Sequence, residues 1–472
     1  MNLITRDIIN KDIIFKDVNV HDLYQIDKLY TYDDLDRQIN IVKNILQFEH
    51  KCSKGQTVLI GIVPCVLQIA TFFACAELGL NIVIADHNRN DDWINPNYVD
   101  PKTQSLLPID YFIVTSDEHG IPKYKLFYRI CSKTVVIKDL ESKDCAYNNV
   151  LNCDSNTLLL KCTSSGTTGT AKLVNHSHGF LKKLIERNKI FYYGNVCMAH
   201  NLNHGSSPAT YFLPALCSAE TKVFVSYMIT YATETSRTDE YIKMASDKFA
   251  TYKFDHLMIP YSHMIDNFLK TASYPTLNLY TLSTIKKHWL PYFLNNRIKN
   301  IISIFGSNET SGPTFINEIV DHDFEENKYR LVDDFYGIKL LEDRMLEVTM
   351  PIYGTQIVTN DLFEKVGDDY YHKGRNDLYR VNGREVNVNH YAEIIKKLLD
   401  ADLIIDTAKD SLYLAIWQAD EFDKVLIIIE EIKKSSYGTH TINKYTILDK
   451  KNFMTGIKLD MELLRDYFRK FV

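Results

Sequence analysis

The residues best suited to chemistry sit in CTSSGTTGTAKLVNHSH, residues 162–178. Ser and Thr hydroxyls, Gly166, Gly169, Lys172, His176 and His178 fall within this one run. Glycine lets backbone N–H groups curl around an anion, hydroxyls add donors, and a lysine adds charge, so the run reads as a phosphate-holding loop. The spacing is not that of a P-loop, GxxxxGKS/T, which needs Gly, Lys and Ser/Thr in succession. Here Lys172 follows Ala171 and precedes Leu173. The bland alternative is a flexible polar linker, but a strand-like segment, TLLLKC at 157–162, leads straight into the loop and mounts it rigidly.

That mount belongs to a larger pattern. Buried strand-like runs recur at 57–63, 81–85, 111–114, 134–137, 157–162, 222–226 and 301–305. Helical patterns lie between several of them, such as LDRQINIVKNILQF at 35–48 and the segment after His178. This alternation predicts an α/β fold with mostly parallel sheets. A charged, turn-prone stretch, GRNDLYRVNG at 374–383, marks a domain boundary. Beyond it, mixed helix and strand, such as LYLAIW (412–417) and KVLIII (424–429), suffices for a small domain.

The chain has 472 residues, more than one core supports. Hydrophobic residues make up 45% and charged residues 24%, ordinary for a soluble globular protein. Lysine pairs are scattered among acids and the net charge is -6, so no nucleic-acid footprint is present. Nine cysteines without a CxxC pair argue against a disulfide scaffold or zinc site and fit a reducing, cytoplasmic setting. The apolar run 58–76 is long enough to cross a bilayer. Its β-branched residues, Pro64, Glu77 and Gly79 favour strand, helix 66–77 and strand instead, so no stable membrane span is expected.

SSGTTGTAKLVNHSH resembles the Ser/Thr/Gly-rich loop of the adenylate-forming superfamily, which includes acyl-CoA synthetases, peptide-synthetase adenylation domains and luciferases. Ser164 to Gly169, Lys172 and His178 match its pattern; Ala171 and Leu173 replace its usual proline and glycine. The other motifs follow in order. IFGSNET (304–310) resembles the family's YGxTE, VTNDLFEKVGDDYYHKGRNDLYRVNGREVNV (358–388) its TGDL, GRxD and GxxV run, and NFMTGIKLDMELLRDYF (452–468) its closing segment.

The resemblance implies a large N-terminal domain of packed α/β sheets plus a β-subdomain, residues 1–376. A small mobile α+β C-terminal lid, residues 377–472, would follow, with the active site in the cleft between. It implies ATP and Mg²⁺ as cofactors and activation of a carboxylic acid to an acyl-adenylate. The acyl group would then pass to the thiol of CoA or to the phosphopantetheine arm of an acyl carrier protein. An amine or hydroxyl acceptor, or a degenerate homologue that binds nucleotide without turnover, are the alternatives.

By the same resemblance, Thr163, Ser164, Ser165, Gly166, Thr167, Thr168, Gly169 and Lys172 would hold phosphate. Phe305 would stack on adenine, Gly306 and Asn308 would line the phosphate, and Glu309 would meet Mg²⁺. Asp361 would grip both ribose hydroxyls with help from Arg375, Asp377 would be the hinge, and Gly383 and Arg384 would form the acceptor-side loop. Lys458 would be the catalytic lysine, with Lys450, Lys451 and Lys434 as rivals. His204, with His200 as rival, would lie on the substrate side. Residues 201–225 hold no aspartate of the kind that grips an α-amino group, which favours an aryl or fatty acyl substrate over an α-amino acid.

Several positions depart from the pattern: Leu173, Asn308 for threonine, Asn360 for glycine and Ile457 for glycine. The Gly-rich segment usual before YGxTE is not evident in 277–290, and the stretch between MLEVTMP and TNDLF is short.

Overall fold

The computed structural model describes residues 4–9, 11–12, 14–18, 28–62, 65–84, 109–115, 131–137, 153–163, 173–192, 194–198, 208–218, 222–226, 255–259, 265–266, 268–269, 278–282, 284–294, 298–306, 310, 312–319, 325, 327–342, 344–350, 356–375, 378–381, 384–387, 391, 395, 398–406, 411–417, 424–435, 442, 444–455 and 458–471. Internal packing divides the chain into two compact units, Met1–Asp334 and Phe335–Val472.

The first unit contains two sheets. One is six-stranded and takes the order Cys131–Ile137, Ile109–Thr115, Thr57–Ile60, Asn81–Ile84, Leu158–Thr163, Leu173–Ser177. Every neighbour pair in it is parallel except the last. The other contains an unbroken parallel run, Ile14–Val18, Lys222–Ser226, Asn195–Met198, His256–Met258, Asn278–Thr281 and Asn300–Phe305, with antiparallel partners beyond each end. All seven runs read as strands in the sequence coincide with observed strands, and the α/β expectation holds.

The apolar run 58–76 folds as strand Thr57–Ile60 and helix Val66–Glu77, followed by strand Asn81–Ile84 parallel to the first. The helix is buried nearly all round, as its composition requires. Among the described residues no helix is long and apolar enough to cross a membrane. The preceding helix, Tyr32–Asn44, begins three residues earlier than its apolar period suggested. A capping box explains the start: Thr31 Oγ1 accepts from the Asp34 amide at 3.3 Å, and the Thr31 amide donates to the Asp34 carboxylate at 2.8 Å.

A buried ionic cluster ties these helices to the N-terminal segment. Arg6 donates from Nε to Glu77 Oε1 at 2.8 Å and from Nη2 to Glu77 Oε2 at 2.7 Å, while Lys43 Nζ reaches Glu77 Oε2 at 2.9 Å. Burial alone would raise the Glu77 carboxyl, but Arg6 and Lys43 hold it below the usual carboxylate range.

The second unit opens with an antiparallel meander, Gly337–Leu340, Met345–Thr349, Gln356–Val366 and Asp369–Arg375. A hairpin follows, Leu378–Val381 with Arg384–Asn387, in which Val381 pairs with Arg384. That register leaves Asn382 and Gly383 between the strands, the residue pair that two-residue hairpin connections favour.

Residues from Tyr391 to Phe468 then pack into two clusters that, among the described residues, draw on this segment alone. The strand Ser411–Ile416 explains both. Leu412, Leu414 and Ile416 face one cluster with helix Lys424–Ser435; Tyr413 and Ala415 face the other with helix Met461–Phe471. A strand covered on both faces reads as a continuous apolar run, which is what LYLAIW is. KVLIII instead opens a helix, so only Val425 and Ile428 of its first turn are buried and Leu426 is 65% exposed.

Candidate functional site

The phosphate-loop candidate lies between two paired strands. Leu158–Thr163 runs antiparallel to Leu173–Ser177, with Thr163 opposite Leu173. Thr163 and Leu173, which flank residues 164–172 in the sequence, are therefore neighbours at the edge of the six-stranded sheet, where Leu160 also pairs with Ile82. Ser164, Ser165, Gly166, Thr167, Thr168, Gly169 and Lys172 themselves lie outside the described residues.

The far side of this mount is rigid. Ser177 caps the helix His178–Asn188, its hydroxyl accepting from the Phe180 amide at 3.3 Å. His178 donates its own amide to the Thr157 carbonyl at 3.0 Å. Its ring is fully buried, and burial pushes its pKa down to about 4; neighbouring Asp154 pulls upward and Lys54 pushes further down. His176 stacks on Phe180 with ring centroids 5.2 Å apart. Arg187, near the end of the helix, makes a bidentate pair with Asp333, Nε to Oδ2 at 2.6 Å and Nη2 to Oδ1 at 2.7 Å. The two histidines of the opening run thus anchor the mount.

The second motif also sits at a strand end. Asn300–Phe305 pairs antiparallel with Phe315–Glu318, Phe305 opposite Phe315, and the Thr314 amide donates to the Phe305 carbonyl at 2.8 Å. The half-buried Phe305 ring meets Phe315 at 6.0 Å and Tyr329 at 5.8 Å between centroids. Gly306 passes so close to Gly312 that a Cβ there would lie 2.3 Å from the Gly312 carbonyl oxygen, so only glycine fits. Asn308 and Glu309 lie outside the described residues.

The third motif is the best defined. Asp361 on Gln356–Val366 is the register partner of Arg375 on Asp369–Arg375, and Phe363 is the partner of His372. One strand thus spends three steps where the other spends two, a β-bulge that places Lys373 and Gly374 against Leu362. Asp361 donates its amide to Thr359 Oγ1 at 3.3 Å, and its Oδ1 lies 3.4 Å from His372 Nε2. The carboxylate is 16% exposed, enough to meet a ligand. A carboxylate of this kind suits a vicinal diol, since it accepts two O–H bonds and donates none. His372 escaped the sequence reading; its only signal was a position three residues before Arg375.

Lys458 begins a two-residue strand, Lys458–Leu459, antiparallel to Met454–Thr455, with Thr455 opposite Lys458. The Asp460 amide donates to the Phe453 carbonyl at 2.8 Å, and Asp460 Oδ1 accepts from the Leu463 amide at 2.9 Å, starting the last helix. The KLD step is thus a fixed hairpin exit. The rival Lys450 is engaged elsewhere, 5.3 Å from the Trp417 ring centroid. Arg384 opens its hairpin strand, whereas Gly383, Asp377, His204 and His200 lie outside the described residues.

Comparison with known families finds a match to the family described as AMP-binding enzyme over residues 16–343. The chain belongs to the AMP-binding enzyme family. The family's members are ATP- and Mg²⁺-using, AMP-forming acid ligases: aryl-CoA, fatty acyl and peptide-synthetase adenylation enzymes.

Among solved structures, this AMP-binding enzyme is similar to fatty acyl-adenylate ligases from E. coli and L. pneumophila (TM-score 0.72, 12% identity, covering 97% of this chain and 96% of that one). McyG A-PCP complexed with phenylalanyl-adenylate gives TM-score 0.71 at 13% identity, covering 100% and 96%. O-succinylbenzoate coenzyme A synthetase (MenE) from Bacillus subtilis, in complex with AMP, gives 0.70 at 13%, covering 98% and 96%. At such identities these likenesses speak to the fold. No curated protein matches the chain.

Proposed function

We propose that this AMP-binding enzyme activates an aryl or fatty acyl carboxylate with ATP and passes the acyl group to a thiol, of CoA or of a carrier-protein arm. The observation that carries the nucleotide side is the cross-strand partnership of Asp361 and Arg375 in a half-buried, bulged hairpin. It supports a ribose grip by Asp361 with Arg375 beside it. The hairpin mount of 164–172 supports a role for Thr163 to Lys172 in holding the β- and γ-phosphates.

In the first step a carboxylate oxygen attacks the α-phosphorus and pyrophosphate leaves. A carboxylate is already ionised at neutral pH, so no general base is required. The protein's task is to position the reactants and to stabilise charge on the phosphate oxygens. Lys458 bridges the acyl carboxylate and the α-phosphate, and Phe305 packs on adenine. Gly306 and Asn308 line the phosphate, and Glu309 is the residue to hold Mg²⁺, which neutralises phosphate charge when bound.

In the second step the thiol attacks the acyl carbonyl and AMP leaves. The 377–472 lid turns about Asp377 and replaces Lys458 with the Gly383–Arg384 hairpin. His204 lies on the acyl side. The nine cysteines, none in a CxxC pair, fit a reducing, cytoplasmic setting. The packing of residues 391–468 on one another supports a lid beginning near 377.

Pyrophosphate release across a panel of aryl, fatty and α-amino acids, with CoA present and absent, tests the proposal. Release with an aryl or fatty acid, with a CoA thioester formed when CoA is added, is expected. The departures at Leu173, Asn308, Asn360 and Ile457 favour a second reading, nucleotide binding without turnover. AMP binding with no pyrophosphate released by any acid would select it; acyl-AMP trapped by an amine or hydroxyl would relocate the acceptor.

A further inference from the structure

We infer that His372 is a positioning residue for nucleotide binding, orienting the Asp361 carboxylate toward the ribose diol. The inference deepens the proposed ribose role of Asp361 and rests on it. It starts from the hairpin register. Phe363 faces His372 in the register that runs unbroken from the turn at Val366 and Asp369, so His372 is the diagonal neighbour of Asp361 on the same face of the hairpin. Diagonal neighbours lie within reach of long or aromatic side chains. The His372 ring packs on Phe363, with centroids 5.1 Å apart, and its Nε2 lies 3.4 Å from Asp361 Oδ1.

An ionised carboxylate only accepts, so the Nε2 nitrogen must carry the proton in this contact. The imidazole therefore occupies one lone pair of Oδ1 from the strand side. The Thr359 hydroxyl, which accepts from the Asp361 amide at 3.3 Å, fixes the backbone beneath it. Both side chains are mostly shielded, 20% exposed for His372 and 16% for Asp361, so water competes poorly for the bond. A carboxylate held at one oxygen cannot rotate freely, and its remaining lone pairs keep a fixed direction. Two adjacent hydroxyls need that direction, whereas a nucleotide lacking both has no use for it.

The test measures binding of AMP and of 2′,3′-dideoxy-AMP by calorimetry to the full chain and three variants. No acid substrate is needed. The preference of the unaltered protein for AMP over the dideoxy analogue is the readout, since a general loss of structure would weaken both nucleotides alike. Asp361→Ala should abolish the preference. His372→Phe keeps the ring on Phe363 but removes the donor. It should lower the preference by about 3- to 10-fold, the range for losing an ordinary hydrogen bond, as suits the long 3.4 Å contact, while dideoxy-AMP affinity stays within about twofold. His372→Gln restores a donor and should recover part of the preference.

If Asp361→Ala abolishes the preference and His372→Phe leaves it intact, the positioning role is refuted and the ribose role of Asp361 stands. If Asp361→Ala also leaves it intact, the ribose role fails and the inference fails with it. Equal weakening of both nucleotides by His372→Phe would reduce His372 to a packing residue and likewise overturn the inference.

Discussion

Lowering the pH from 7 to 5 should loosen the mount of the 164–172 loop, and His178 sets the size of the effect. This imidazole is fully buried at the first turn of His178–Asn188, and burial holds its pKa at about 4 instead of 6.5. A base with a depressed folded pKa takes its proton more readily in the opened state. Its contribution to stability is therefore complete above the unfolded value and declines as the pH falls toward the folded one. With 6.5 and about 4 as the two values, linkage gives a loss of about 2 kcal/mol between pH 7 and 5, a factor of roughly twenty in the opening constant. The helix macrodipole adds in the same direction, because a proton on His178 places positive charge at a helix N-terminus.

Hydrogen exchange read by mass spectrometry over residues 173–191, corrected for the intrinsic pH dependence of exchange, measures this opening locally. It needs no assumption that the two units unfold together. His178→Phe and His178→Gln remove the titrating ring, and protection in these variants should lack the fall seen in the unaltered protein. Parallel pH profiles in all three proteins would refute the reasoning, because another group would then be responsible.

Three further outcomes follow from named contacts. Glu77→Ala removes the carboxylate shared by Arg6 and the fully buried Lys43, and should cost about 3–5 kcal/mol in urea denaturation, with partial recovery in Glu77→Ala/Lys43→Met. Because the Glu77 carboxyl is held low, its contribution persists above the ordinary carboxylate range and is lost only as the pH falls through its lowered pKa. Gly306→Ala sets a Cβ against the Gly312 carbonyl and should weaken AMP binding about tenfold or more with an unchanged circular dichroism spectrum; unaltered affinity would separate this loop from the nucleotide. Lys458→Ala should abolish acyl-AMP formation yet spare thioester formation from supplied acyl-AMP, and equal loss in both steps would reassign the catalytic lysine.

Much of the architecture was legible because strand and helix periods are written locally. TLLLKC and IISIF read as strands since parallel sheets bury both faces, and LRDYF near the C-terminus reads as helix because Leu464 and Phe468 recur at helical spacing. KVLIII was ambiguous for the same reason: a short apolar run carries no period, and only packing shows which residues turn inward. The early start of the Tyr32–Asn44 helix was written in Thr31 and Asp34, whose mutual capping an apolar pattern does not register.

The amino-acid sequence by itself determined the α/β class, the order of the motifs and the candidate phosphate loop, because each rests on residue type and short spacing. Tertiary structure decided what depends on groups far apart in the chain. Arg6, Lys43 and Glu77 meet only when a helix and the N-terminal segment close on Val66–Glu77. His178 titrates low only because folding buries it. His372 reaches Asp361 only because two strands pair in a register that sets it opposite Phe363, and Arg375 becomes the partner of Asp361 only because a bulge follows, which no local pattern encodes.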